Sequence, residues 1–148
     1  MTFGDVKIEV LYPEKDSDTE AVSDNNHSMV LRVNFGLRKF LLTADIEKAT
    51  ENNLLNAPEF VQTDVIKVAH HGSRTSSIAE FINASKAKLA IVSVGKNSPF
   101  GHPHSEVVER WKTSGAKVMT TGENGTISVS TDGKDLQLRT FGKEKIYR

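Results

Sequence analysis

Between Leu37 and Thr121 the chain alternates short apolar runs with stretches of helical spacing, and this order restricts the fold more than any single residue does. Leu37–Thr43 reads as a strand. Ile46–Leu55 follows with Ile46, Ala49 and Leu54 on similar faces of a helix, and Pro58 closes the region. Val65–Ala69 is a short apolar run bounded by polar residues, which suits a buried strand. Thr75–Ser77 offers caps for a helix over Ile78–Ala84, where Ile78, Phe81 and Ile82 recur at helical spacing. Leu89–Val94 is the most strand-like run of all. Glu106–Ser114 is a third helix with Val107, Val108 and Trp111 on its inner side; Gly115 ends it before a strand over Val118–Thr121.

The flanks are simpler. Phe3–Leu11 alternates Val6, Ile8 and Val10 with charged residues, the pattern of a half-buried strand. Residues 13–26 are acidic and polar and are expected to form a mobile loop. Ser28–Asn34 pairs with Leu37–Thr43 as a hairpin through Phe35-Gly36, and Thr126–Ser130 with Leu136–Thr140 through Asp132-Gly133. The reading is a single α/β domain over residues 1–148: a mixed sheet, helices mainly on one face, and a C-terminal hairpin. A chain of 148 residues can bury a real core. Nineteen basic residues balance nineteen acidic ones, which argues against a broad basic surface for nucleic acid but leaves room for a local patch. Cysteine is absent, so disulfides and thiolate metal sites are excluded. The N-terminus lacks the basic and apolar segments of a signal peptide, and no apolar run approaches the roughly 20 residues that span a bilayer. As written, the chain is expected to be soluble, with no membrane contact of its own.

Three segments carry side chains suited to chemistry, each directly after a strand. Asp45 ends the strand Phe40–Ala44, His70 and His71 follow Val65–Ala69, and His102 and His104 lie in the proline-stiffened loop Gly95–His104. Where parallel strands neighbour each other, such residues emerge on one edge of the sheet, the edge at which α/β sites are built. A carboxylate with imidazoles suits zinc, manganese or iron. Asp45 alone would equally cap a helix starting at Ile46, and a histidine pair can comprise one solvent-facing and one structural residue. Ser73, Thr75, Ser76 and Ser77 offer hydroxyls either to phosphate oxygens or to a helix cap, and Arg74 offers a guanidinium to phosphate or to water. His102 and His104 read as proton donor and substrate contact, or as surface-loop residues.

Taken in order, Asn25–Arg32, Phe40–Glu47, Asp64–Ser77, Ser93–His104, Gly115–Thr121 and Asn124–Ile127 resemble the metallo-β-lactamase-like domain of ComEC-type DNA-uptake proteins. The similarity runs from about Phe3 to Val129. It implies that Asp45 is a metal-bridging aspartate, with Ala44 where the family has glycine. It places the later metal histidine on the His70-His71 pair, His71 being the preferred ligand and His70 a neighbour or second ligand. A further ligand before the strand at Ser28 is absent or replaced by Asp24 or His27. The resemblance assigns His102 and Ser73 to phosphate or leaving group as catalytic residues, and Arg74, Thr75 and His104 to substrate binding.

The early His-x-His-x-Asp-His motif of such enzymes is not in this sequence. The expected architecture is therefore the C-terminal half of an αββα sandwich, with part of a two-metal ligand set. The function implied is a share in a metal-dependent hydrolase, a nuclease acting on DNA during competence, with zinc or manganese bound in the complete domain and weakly or not at all by this chain. Alternatives are a non-catalytic module that binds DNA or a partner, and another metallo-β-lactamase-like phosphodiesterase or hydrolase. The implied partners are the missing N-terminal half, single-stranded DNA in the parent protein, and a second copy of the chain where nothing else covers the open sheet face. The parent protein is expected in a bacterial inner membrane.

Overall fold

The computed structural model describes residues 1–13 and 24–141. Seven strands form one mixed sheet in sequence order: β1 (Thr2–Phe3), β2 (Val6–Tyr12), β3 (Val30–Phe35), β4 (Arg38–Leu42), β5 (Val65–Lys67), β6 (Leu89–Val92) and β7 (Lys117–Thr120). The first four pair antiparallel, and β4 through β7 pair parallel. Each parallel step is bridged by a helix: α1 (Lys48–Leu54), α2 (Ala79–Ser85) and α3 (Ser105–Thr113). Right-handed crossovers that always step in the same direction place their helices on one face. Leu41, Ile66 and Ala90, in register across β4, β5 and β6, meet Leu54, Phe81, Ile82, Val107 and Trp111 in a single buried cluster on that face. The sequence reading of a mixed α/β sheet with helices on one face holds.

Side chains alternate across a sheet, so Phe40, Val65 and Leu89 share the opposite face with Leu42, Lys67 and Ile91. Val65 and Met119 are buried there, outside the helix-side cluster, as is Leu138 of the C-terminal hairpin β8 (Ile127–Thr131) and β9 (Leu136–Thr140). The hairpin therefore covers part of this second face. Its turn is tied to the β3–β4 turn: the Leu37 N–H donates to the Gly133 carbonyl at 2.7 Å, and Arg38 Nε to the Lys134 carbonyl at 2.6 Å. A Cβ at Gly36 would lie 2.5 Å from the Gly133 oxygen, so only glycine fits this approach. Val10 and Leu42, in register through Leu31, stay exposed on the same face.

Several local expectations are corrected. α1 begins at Lys48 with Glu47 at its N-cap position, so Asp45 does not cap it. The cap of α2 comes not from Thr75–Ser77 side chains but from buried Glu51 of α1, whose Oε1 accepts the Ser77 N–H at 2.6 Å and Oε2 the Ile78 N–H at 2.9 Å. The strand expected over Val118–Thr121 stops at Thr120, and a short helix α4 (Thr121–Asn124) follows, capped by Thr120 Oγ1. Of the loop expected over residues 13–26, residues 14–23 lie outside the described part; Asp24–His27 forms a 3-10 turn in which Asn26 is buried. Among the described residues no helix is long and apolar enough to cross a membrane.

Candidate functional site

The four parallel strands point their C-terminal ends to one edge, and the loops there carry the chemistry. Asp45 follows β4, His70 and His71 follow β5, residues 93–104 follow β6, and Thr121 follows β7. The backbone at this edge is unusual. Ala44 (φ 46°), His70 (φ 46°) and His71 (φ 54°) all adopt the left-handed region, which costs an L-residue roughly 1–2 kcal/mol. The His70 N–H donates to the Ala44 carbonyl at 3.1 Å, locking the two strained turns together. Strain of this kind persists where the surroundings over-determine it, and it concentrates at functional sites.

His71 is the best-defined member. Its Nδ1 lies 2.6 Å from the Ser93 carbonyl oxygen; a carbonyl only accepts, so Nδ1 carries a proton, and in the neutral imidazole the lone pair is on Nε2. Nε2 lies 3.7 Å from Asp45 Oδ1. The Ser93–Val94 segment is itself held, since Thr121 Oγ1 accepts the Val94 N–H and donates to the Val94 carbonyl, each at 2.8 Å. The same Asp45 oxygen is 3.4 Å from Lys67 Nζ, which also donates to the Ala44 carbonyl at 2.7 Å. Burial lowers the pKa of this ammonium, and the Asp45 charge opposes the shift.

His70 turns the other way. Its Nδ1 is 3.4 Å from Glu47 Oε1 and 3.4 Å from Thr75 Oγ1, and Thr75 donates to the same carboxylate oxygen at 3.0 Å. Glu47 is in turn anchored by Asn26, whose Oδ1 accepts the Glu47 N–H at 3.1 Å, and by the side-chain amides of Asn25 and Asn26. These two asparagines belong to the segment before β3; the side chain of Asp24 lies outside the described residues.

The loop after β6 closes the third side. The His104 N–H donates to the Gly72 carbonyl at 3.0 Å, and a Cβ on Gly72 would lie 2.7 Å from Pro103 Cβ, so the two loops touch where glycine alone fits. This docking sets the His102 ring 5.7 Å from that of His70 and 5.1 Å from that of His104, centroid to centroid. Burial, followed by the neighbouring imidazoles, holds the His102 pKa below the ordinary histidine value. His71 and His102 line a cleft of about 570 Å³ together with Ser93, Asn97, Phe100 and Thr121.

Asp45, His70, His71, His102 and His104 thus meet at one edge. Of the remaining candidates, Thr75 joins them through His70 and Glu47, whereas Ser73 and Arg74 point elsewhere. Ser73 is buried, its Oγ 3.0 Å from Thr75 Oγ1 and accepting the Thr75 N–H at 3.3 Å. Arg74 pairs with Glu106 of α3 at 2.9 Å on the surface. Glu47, Lys67 and Thr121 were not singled out from sequence. Lys67 had a signal, as the one charge within the apolar run 65–69, and Glu47 sits two residues beyond Asp45.

Carboxylate and imidazole are the donor types of zinc and manganese. Structural and catalytic zinc sites use three or four protein donors, whereas among the described residues no three His, Asp or Glu side chains converge to hold a metal. The described residues alone therefore do not form a complete metal cage; Asp45 and His71 face each other at 3.7 Å.

No protein-family model matches the chain. Over 123 residues, 83% of its length, it is 39% identical to ComE operon protein 3 of Bacillus subtilis (strain 168), and the match covers 16% of that protein. It is 34% identical over 108 residues, 73% of its length, to Recombination protein 2 of Haemophilus influenzae, covering 14% of it. It is 32% identical over 123 residues, 82% of its length, to Competence protein ComA of Neisseria gonorrhoeae, covering 17%. These proteins are homologues, and the chain spans about a sixth of the length of each.

Proposed function

We propose that this chain is part of a metal-dependent hydrolase of the metallo-β-lactamase-like class, a nuclease that acts on single-stranded DNA in competence. The observation that carries the reading is the aim of His71: with Nδ1 committed to the Ser93 carbonyl, its Nε2 lone pair faces Asp45 Oδ1 across 3.7 Å. Two electron-pair donors held face to face are half of a ligand set, and fixing an imidazole through its other nitrogen is how metal-binding histidines are oriented. Homology to a protein named for competence supports the context. The remaining donors would come from a further part of a longer protein, packed against the sheet face on which Val10 and Leu42 are exposed; a second copy of this chain is the alternative cover. A membrane-associated parent in the bacterial inner membrane fits the same context.

Zinc or manganese in the completed set would supply Lewis acidity toward a phosphodiester. This chain's own residues orient and exchange protons. His102, neutral at pH 7 because its pKa lies below the usual value, lines the cleft as a hydrogen-bond donor or proton acceptor. Thr75 and Ser73 shape the loop through Glu47 and each other, and His104 completes the imidazole row.

The test is cleavage of single-stranded DNA by a longer protein containing this segment, with manganese or zinc added. Asp45→Asn and His71→Ala should each abolish cleavage while leaving folding intact. Metal-independent cleavage, or cleavage that survives both substitutions, overturns the reading. One observation favours a second reading, a non-catalytic module that binds DNA or a protein: Lys67 Nζ already supplies a cation to Asp45 at 3.4 Å. DNA binding by the longer protein without cleavage under either metal would select it.

A further inference from the structure

Phe100 stands at the tip of the loop that carries His102, 76% exposed and outside the apolar core. The loop holds it firmly in place. The Gly101 N–H donates to the Ser98 carbonyl at 3.1 Å, the His104 N–H to the Gly72 carbonyl at 3.0 Å, and Pro99 and Pro103 restrict the backbone on either side. The phenyl centroid lies 6.0 Å from that of His102, with 34° between the ring planes. Both rings line the same cleft as His71, and its volume of about 570 Å³ lies within the ~300–1,000 Å³ typical of small-ligand sites. Phe3 and Phe141 are also exposed, but neither lines that cleft.

An exposed ring on a braced loop beside imidazoles offers an apolar face next to groups that can contact phosphate. Bases of single-stranded nucleic acid stack on such faces whatever their identity, because every base has a π-face; in a duplex those faces are already occupied. We propose that Phe100 is a stacking platform for one nucleobase of a single strand, holding the adjoining phosphodiester toward His71 and His102. This rests on the nuclease reading above and adds how that site would choose single strands over duplex.

The experiment uses the full chain at low salt and a labelled oligothymidylate of about 15 nucleotides, followed by fluorescence anisotropy. Phe100→Ala should weaken binding about tenfold, in line with alanine substitutions at stacking positions, whereas Phe3→Ala should leave it unchanged. An abasic strand of the same length should bind wild type and Phe100→Ala alike. Phe100→Trp should retain affinity, and its indole fluorescence should be quenched as the strand is added, against the constant background of buried Trp111, the chain's single tryptophan. Equal binding of the thymidylate by wild type and Phe100→Ala, or an unquenched Phe100→Trp, overturns the platform. So does a wild-type chain that binds no oligonucleotide. The nuclease reading stands or falls separately, on metal-dependent cleavage.

Discussion

Gly72→Ala tests how the site is assembled, because two costs of one methyl group can be separated. Gly72 has φ +81°, and a Cβ there would lie 2.7 Å from Pro103 Cβ, 3.2 Å from Pro103 Cα and 3.6 Å from Val92 Cγ1. The nearest atom belongs to a proline ring, which cannot swing aside. Gly115 has nearly the same backbone, φ +89°, with nothing within 4 Å of its Cβ position. Both substitutions carry the left-handed penalty, about 1–2 kcal/mol. Gly72→Ala adds the cost of overpacking, roughly 1–3 kcal/mol. The expected losses are therefore about 1–2 kcal/mol for Gly115→Ala and about 2–5 kcal/mol for Gly72→Ala. Urea unfolding, read through buried Trp111, measures both. Relief of the contact must push Pro103 away, so the imidazole NMR signals of His71 and His102 should shift in Gly72→Ala and stay in place in Gly115→Ala. Equal losses in the two variants, with His102 undisturbed, would refute the claim that close packing of the two loops positions the histidines.

Two further substitutions probe the supports behind the site. Burial pushes the Glu51 carboxyl up to about 7 from 4.5, so between those values the folded state binds its proton more tightly than the unfolded state and stability falls as pH rises. Wild type should lose up to about 3 kcal/mol more than Glu51→Gln between pH 5 and pH 8, and parallel pH profiles would sink the argument. His102, whose pKa is lowered, contributes the opposite trend below the ordinary histidine value, and it cancels in that difference. Asn26→Ala strips the acceptor used by the Glu47 N–H, the Thr50 N–H and Thr50 Oγ1, and should cost about 2–3 kcal/mol. Faster hydrogen exchange at Thr50 should accompany that loss, and unchanged exchange would show that Asn26 does not anchor the segment.

Much of the fold was legible because periodicity reports which face of an element is buried. Leu89–Val94 and the stretch around Phe81 could be assigned from spacing alone, and sequential strand–helix order leaves few topologies. What spacing could not reveal is contact between distant residues. Glu51 reads as an ordinary polar position of an amphipathic helix, yet it is buried and caps α2 from 26 and 27 residues away. The site divides along the same line. Asp45 and His71 announce themselves by type and place, whereas Lys67, Glu47 and the Ser93 carbonyl act through geometry that no local pattern encodes. Ser73 has the right residue type beside the histidines, but its hydroxyl faces inward.

The bonds among these loops decide how firmly the chain holds Asp45 and His71. Ala44, His70, His71 and Gly72 each hold a positive φ, and two backbone hydrogen bonds, from His70 to Ala44 and from His104 to Gly72, join the ends of β4, β5 and β6. Thr121, at the end of β7, fixes the Ser93–Val94 segment on which His71 leans. Four strand ends therefore form one hydrogen-bonded unit. None of these bonds involves a carboxylate oxygen of Asp45 or the free Nε2 of His71, so the framework leaves both donor atoms outside its own bonding. Lys67 approaches that carboxylate too, but it leans more closely on the Ala44 carbonyl, at 2.7 Å, than on Asp45, at 3.4 Å. On the metal-site reading proposed above, such a framework gives a half-site its shape from the described residues themselves. What that reading requires from elsewhere is further donors, since among the described residues no three His, Asp or Glu side chains come together to hold a metal.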